Sequence, residues 1–182
     1  ALVIANCVRQ NFAVIGVDRP TSEAFWKIGD INQGFCPVLS SDPKVKEYFD
    51  CAQNNKSFYA THDHQAFAYA DVIVVDINLD ITKEKSADGR IVGSAVGMES
   101  FKRALMAIAM KCREDMLILI ETTVPPGTCS KVIEPIIKGC LAQRGLPDDQ
   151  FKLGHSYERV MPGPNYIDSI ENFYRVYSGV NE

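Results

Sequence analysis

Two uninterrupted runs of apolar residues constrain the fold of this chain more than any other feature of its sequence. One stands at 72–75, between Asp71 and Asp76, and the other at 116–120. A strand that is apolar at every position is buried on both faces, which is typical of a parallel sheet covered by helices. The two runs therefore predict the central strands of an α/β fold.

Strand-like and helix-like segments alternate along the sequence. Runs rich in β-branched residues predict strands at 13–18, 57–61, 71–76, 116–120, 151–155 and 175–177. Apolar residues at three- and four-residue steps predict helices at 2–10, 43–52, 63–70, 98–112 and 132–141. Polar residues and glycine predict a loop at 79–94. Repeated strand–helix–strand units favour right-handed crossovers, so we expect one α/β domain with a doubly wound, mostly parallel, Rossmann-like sheet.

The helix predicted at 43–52 has a recognisable start. Ser41 or Asp42 is expected to cap it, because serine and aspartate side chains accept hydrogen bonds from the free N–H groups of a first turn. Pro43 fits that first turn, where its missing N–H costs nothing.

The charge balance argues against functions that depend on a basic surface. The chain has 19 lysine and arginine residues against 23 aspartate and glutamate residues, a net charge of −4. Because this long-range field repels polyanions, we expect neither a nucleic acid nor a membrane as a partner. No apolar run approaches the roughly 18 residues that span a bilayer. Six cysteines without a C-x-x-C pair are typical of reduced thiols in a cytoplasmic protein.

Ligands of an open parallel sheet bind at the carboxyl ends of its strands, so Asp18, which ends the strand predicted at 13–18, is a candidate. A carboxylate there can accept hydrogen bonds from the adenosine ribose of NAD, and it repels the 2′-phosphate of NADP. The alternative is an ordinary aspartate at a strand end. A G-x-G-x-x-G turn normally lies about 20 residues before this acid. The sequence contains no such motif, so we expect the first strand and the glycine-rich turn to precede Ala1.

Two further segments place polar residues after predicted strands. At 121–128 the sequence reads E-T-T-V-P-P-G-T, in which the Thr122 and Thr123 hydroxyls could hold a water or a ribose, or could merely cap the following helix. At 156–166 a proline- and glycine-rich stretch carries Glu158 and Arg159, either as a ligand-binding loop or as a surface loop with a weak ion pair.

The histidines at 62 and 64 do not predict a metal site. They are two residues apart, on different sides of any helix, and no third ligand follows at a recognised spacing.

Several strings together resemble one family. In chain order they are V-I-G-V-D at 14–18, D-V-I-V-V at 71–75, E-T-T-V-P-P-G-T at 121–128, E-R-V-M-P-G at 158–163 and R-V-Y-S-G at 175–179. They resemble the UDP-glucose/GDP-mannose dehydrogenase family of nucleotide-sugar 6-dehydrogenases. The likeness implies that 1–182 is one partial NAD-binding domain, and that the central helix and the carboxyl-terminal sugar-nucleotide domain lie outside this chain.

The resemblance implies NAD as the cofactor, and it assigns the residues that contact it. Asp18 is similar in position to the acid that binds the adenosine ribose, with Arg19 beside it. Ile77, Thr122 and Thr123 fall where the family's strand-end loops contact the dinucleotide.

The resemblance also implies the reaction. The family oxidises the C6 alcohol of a sugar nucleotide to a carboxylate with two NAD⁺, through an aldehyde, a cysteine thiohemiacetal and a thioester that water hydrolyses. Thr123 is similar to the threonine that orders this water, and Glu158 to the glutamate that acts as general base. Glu158, Arg159 and Val160 fall where the chain contacts the sugar nucleotide. The E-R-V-M-P-G form favours a UDP-N-acetylhexosamine, used in polysaccharide synthesis, and the full-length protein is expected to be a homodimer or a higher oligomer.

The chain departs from the family pattern in three ways. Tyr157 replaces the usual proline, and D-I-N-L-D at 76–80 replaces the usual V-P-T-P. None of the cysteines matches the family's nucleophile, so we expect this polypeptide alone to be inactive. Two rival hypotheses are a β-hydroxyacid-type NAD dehydrogenase and a non-catalytic nucleotide-binding module.

Overall fold

Alternating strands and helices form a mixed α/β architecture in the computed structural model, which describes residues 12–157 and 161–180. The elements are β1 (Val14–Val17), α1 (Ser22–Asn32), α2 (Lys44–Asn54), β2 (Phe58–Thr61), a 3-10 helix (His64–Tyr69), β3 (Val72–Val75), β4 (Asp80–Lys85), β5 (Ile91–Gly97), α3 (Glu99–Ala109), β6 (Leu117–Ile120), a π-helical turn (Cys129–Ile133), α4 (Glu134–Gln143), β7 (Lys152–Ser156), α5 (Tyr166–Asn172) and β8 (Tyr177–Gly179). The described residues divide into a first unit, 12–66 and 161–174, and a second unit, 67–157 and 175–180.

The second unit contains a four-stranded sheet in the order β3-β6-β7-β8. β3 pairs with β6 in parallel, with Val75 opposite Ile120, and β6 pairs with β7 in parallel, with Ile120 opposite His155. β8 is antiparallel to β7, with Ser156 opposite Tyr177. The predicted α/β fold with a mostly parallel sheet is confirmed.

The core of the second unit lies between this sheet and two helices. Its fully buried side chains come from β6, β7, α3 and α4, and include Ile118, Ile120, Leu153, Phe101, Leu105, Ile137 and Leu141. Burying each such side chain contributes roughly 1.5–3 kcal/mol. Burial on both faces of the central strands was expected, but Leu117 and Leu119 are only half-buried and Val72 is exposed. The aliphatic runs thus predicted the positions of the strands correctly. They overestimated how deeply the second face of each strand is buried.

The loop predicted at 79–94 is wrong, because this segment forms most of an antiparallel hairpin of β4 and β5. Ile81 pairs with Val96, and a bulge follows Glu84. The tight turn has Gly89 at a φ of 82°, where a side chain would be strained. The charged residues of β4 led to the wrong prediction, since lysine and glutamate are depleted from strands. The Asp-Gly pair at 88–89 was the available hairpin signal.

The first unit contains a two-stranded parallel sheet, in which Val14 of β1 lies opposite Phe58 of β2. The Asn32 side chain binds α1 to β2, because it donates to the Ala60 carbonyl and accepts from the Ala60 N–H, both at 2.8 Å. α1 itself was not predicted. Its residues Phe25 and Trp26 stay half-exposed, so no clear apolar face marks it in the sequence.

Asp42 joins two helices of the first unit. Its Oδ1 accepts the N–H of Lys44, the first residue of α2, at 3.0 Å, and its Oδ2 accepts the N–H of Ile167 in α5 at 2.9 Å. Asp42 is therefore the capping residue, and Pro43, with φ −65° and ψ −24°, already has helical backbone angles. The carboxylate is only 3% exposed, so both hydrogen bonds are shielded from water.

Two more contacts hold α5 on α2. Lys44 Nζ lies 2.6 Å from Asp168 Oδ1, and the Tyr48 hydroxyl donates to Glu171 Oε1 at 2.7 Å. The second bond raises the pKa of Tyr48 to about 12. α5 was not predicted, since its proline- and glycine-rich approach was interpreted as loop.

The helix predicted at 2–10 lies outside the described residues. Within the part that the structure describes, no helix combines the length and the apolar character needed to cross a membrane.

Candidate functional site

The carboxyl ends of β3 and β6 are fastened to each other through one carbonyl group. The Val75 carbonyl accepts the N–H of Glu121 at 2.9 Å and the N–H of Thr122 at 3.1 Å. The Thr122 hydroxyl lies 3.3 Å from the same oxygen, and it accepts the N–H of Ile77 at 2.8 Å. Thr122 is only 4% exposed. Its hydroxyl therefore holds the β6 end and the backbone at Ile77 in one arrangement.

Thr123, the next residue, is exposed. Among the residues that the structure describes, its hydroxyl has no hydrogen-bond partner, so it is available to a ligand or a water. The alternative, that Thr122 and Thr123 cap the following helix, is not what the structure shows, since Thr122 bonds backward to β3. Thr128 instead closes the turn, with its hydroxyl donating to the Pro125 carbonyl at 2.7 Å.

A partly buried ion pair flanks this strand end. Glu121 is 8% exposed, and its Oε1 lies 2.9 Å from Arg175 Nη1. Neither residue was among the predicted site residues. The E-T-T motif and the R-V-Y-S-G motif each contained one partner, but 54 residues separate them and nothing in the sequence pairs them.

Asp18 lies at the corresponding end of the first unit's sheet. It follows β1, and its N–H donates to the carbonyl of Thr61, the last residue of β2, at 3.1 Å. Its carboxylate is exposed, and Oδ1 accepts the N–H of Arg19 at 2.7 Å. In the described ranges no donor reaches Oδ2, which leaves this oxygen available for a hydroxyl such as that of a ribose. An exposed carboxylate at this strand end can accept a hydrogen bond from a ribose hydroxyl.

The predicted site residues are spread over the chain. Asp18 belongs to the first unit and Thr123 to the second. Glu158, Arg159 and Val160 lie outside the described residues. Just after them, the Met161 N–H donates to Ser169 Oγ at 3.3 Å, so α5 anchors the chain there. The meeting of Asp18, Thr123 and Glu158 stays a prediction.

The described cysteines are free thiols. Burial raises the pKa of Cys112, Cys129 and Cys140, which lowers their thiolate fraction and makes them poor nucleophiles. Residues 12–157 and 161–180 also contain no group of three or more metal-ligating side chains.

Comparison with known proteins shows the family of this chain. Residues 1–182 match the family model described as "UDP-glucose/GDP-mannose dehydrogenase family, NAD binding domain". A curated relative, UDP-N-acetyl-D-mannosamine dehydrogenase of Pyrococcus horikoshii, is 30% identical over 90 residues, which is 50% of this chain and 21% of that protein.

Two solved structures have the same fold. The NDP-N-acetyl-D-galactosaminuronic acid dehydrogenase of Methanosarcina mazei Go1 superposes with a TM-score of 0.81 at 19% identity, covering 99% of this chain and 37% of that one. The UDP-D-ManNAc dehydrogenase of Pyrococcus horikoshii gives 0.75 at 23% identity, covering 100% and 38%. The chain thus spans well under half the length of these proteins. It belongs to the UDP-glucose/GDP-mannose dehydrogenase family and matches that family's NAD-binding domain over its whole length.

Proposed function

We propose that the protein oxidises the C6 alcohol of a UDP-sugar to a carboxylate, using two NAD⁺ per sugar. The observation that carries the proposal is the exposed Thr123 hydroxyl, which has no hydrogen-bond partner in the described part of the chain and lies in the family's T-T-V-P-P-G-T motif at the end of a central strand. The neighbouring Thr122 is fully engaged within the protein, so the two threonines have separate tasks.

The cofactor would contact residues at several strand ends. Asp18 Oδ2, which no donor of the described residues reaches, would accept a hydrogen bond from a ribose hydroxyl, and Arg19 follows Asp18 in the chain. Thr122 fixes the backbone at Ile77, and the exposed Thr123 hydroxyl would face the cofactor. When bound, NAD⁺ accepts the hydride that leaves the sugar carbon. The single negative charge of Asp18 favours NAD over NADP, since it repels a 2′-phosphate.

The remaining predicted residues have roles in hydrolysis and in substrate binding. Thr123 would orient the attacking water, and Glu158 would remove its proton as general base. Glu158, Arg159 and Val160 would contact the sugar nucleotide. A UDP-N-acetylhexosamine is the preferred substrate class, in keeping with the name of the P. horikoshii relative. We further propose a cytoplasmic, homodimeric or larger enzyme of polysaccharide synthesis.

The stoichiometry of the complete protein tests this function. Incubation with a limiting UDP-N-acetylhexosamine and excess NAD⁺ is expected to release two NADH per sugar, measured by absorbance, because both the alcohol and the aldehyde are oxidised. One NADH per substrate would support the β-hydroxyacid-type alternative instead. A protein that binds NAD⁺ and releases no NADH with any nucleotide sugar would be a nucleotide-binding module.

Replacing Asp18 with alanine tests the cofactor assignment. The dissociation constant for NAD⁺ should rise about 10- to 100-fold, since a charge-assisted hydrogen bond is lost. The preference for NAD⁺ over NADP⁺ should shrink at the same time. Calorimetric titration with both nucleotides measures the two effects, and Asp50→Ala, which changes a 43% exposed side chain of α2, is the control. Unchanged NAD⁺ affinity would leave Asp18 as an ordinary aspartate at a strand end.

A further inference from the structure

We propose that the Glu121–Arg175 ion pair is a positioning device for Thr123, and thereby sets the rate of the reaction. The proposal rests on the proposed function, because it gives Arg175 a role only through the residue that orients the attacking water. Glu121 and Arg175 are positioning residues, since neither is argued to touch the substrate.

Burial distinguishes this pair. The Glu121 side chain is 8% exposed and that of Arg175 31%, whereas every other ion pair in the described part of the chain joins side chains that are at least 26% exposed. A carboxylate taken out of water needs a charged or hydrogen-bonding partner, so displacing the Glu121 carboxylate from Arg175 is unfavourable. The pair therefore fixes the side chain of Glu121 in one place.

The pair also spans the sheet at the correct edge. Arg175 lies two residues before β8, and β8 is antiparallel to β7, so the start of β8 lies beside the end of β7. Glu121 directly follows β6, the other neighbour of β7. The ion pair therefore links the strands on both sides of β7, the strand whose chain continues through Tyr157 toward Glu158.

Thr123 depends on these anchors. On one side, the Val75 carbonyl holds the N–H groups of Glu121 and Thr122, and on the other, Arg175 holds the Glu121 carboxylate. Thr123 comes next, and no hydrogen bond of its own side chain is found within the described residues. Its orientation thus follows from how the β6 end is held. A displacement of about 1 Å at a reacting group can cost about 100-fold in rate.

The test uses the complete protein with Arg175→Met and Glu121→Gln. Each should lower kcat about 10- to 100-fold while the dissociation constant for NAD⁺ changes by no more than about twofold. The double variant should lose no more than the worse single variant, because the two residues act as one unit. Arg113→Met is the matched control. Arg113 pairs with Asp71 and Asp115 at the opposite, amino-terminal edge of the same sheet. The kcat of the Arg113→Met variant should therefore be unchanged.

A merely structural ion pair would lower the melting temperature and the yield, but not kcat per folded molecule. If either variant fails to fold, Arg175→Lys and Glu121→Asp replace them, and an intermediate loss of kcat with native NAD⁺ affinity is expected. Native kcat in the folded ion-pair variants would overturn the inference. Thr123→Ala, measured in the same series, separates a failure of this inference from a failure of the proposed function. If Thr123→Ala lowers kcat and the ion-pair variants do not, only this inference fails. If Thr123→Ala leaves kcat unchanged, the proposed function fails as well.

Discussion

Glu158→Gln in the complete protein should lower turnover by about 100-fold or more, because an amide cannot remove the proton of the attacking water. Neither oxidation needs this water, because it enters only when the thioester is hydrolysed. Acyl-enzyme should therefore accumulate, visible as an adduct in intact-protein mass spectra, while two NADH per active site are released in a burst. Steady-state rates and mass spectra of the same samples measure both effects.

Glu99→Gln is the control for this change. Glu99 carries the same carboxylate at the start of α3, but its side chain is 78% exposed and it forms an ion pair with nearby Lys102. The turnover of the Glu99→Gln variant should match that of the native protein. Glu158 has no part in the mechanism if Glu158→Gln turns over at the native rate and no adduct is seen.

Asp42→Ala should destabilise the protein by about 3 kcal/mol, since it removes caps from two helices and leaves buried N–H groups without an acceptor. Asp42→Asn should cost roughly half of that, because its amide keeps one acceptor oxygen. Chemical denaturation followed by circular dichroism measures the free energy of unfolding. The NAD⁺ affinity reports whether the rest of the domain remains native.

Asp50→Ala is the matched control for Asp42. Asp50 lies on the same helix and forms an exposed ion pair with Lys46, so its loss should change stability by less than about 0.5 kcal/mol. Equal stability of the Asp42→Ala and Asp50→Ala variants would show that the two hydrogen bonds to Lys44 and Ile167 are not needed.

The sequence predicted the elements whose signal is local. The aliphatic runs located β3 and β6, and the three- and four-residue steps located α3, because a central strand and an amphipathic helix each have a characteristic pattern. The start of α2 was also predicted, since Asp42 and Pro43 have local capping preferences. The family motifs placed the candidate threonines correctly at a strand end.

The features that were missed depend on contacts between distant residues. Asp42 and Ile167 are 125 positions apart, and Glu121 and Arg175 are 54 apart, so no local pattern announces either interaction. The sequence also did not predict that Thr122 and Thr123 have different roles. Adjacent threonines look alike in a sequence, and only the position of Ile77 across the strand end shows which hydroxyl is engaged.

A crystal structure of the complete protein with NAD⁺ would show whether Asp18 and Thr123 serve one cofactor site, as we propose. We expect a ribose hydroxyl within about 3.2 Å of an Asp18 carboxylate oxygen. The proposal also requires the nicotinamide end of the same NAD⁺ to lie beside Thr123. A bound NAD⁺ that leaves Asp18 or Thr123 out of hydrogen-bond reach, with the two residues facing separate surfaces, would contradict it.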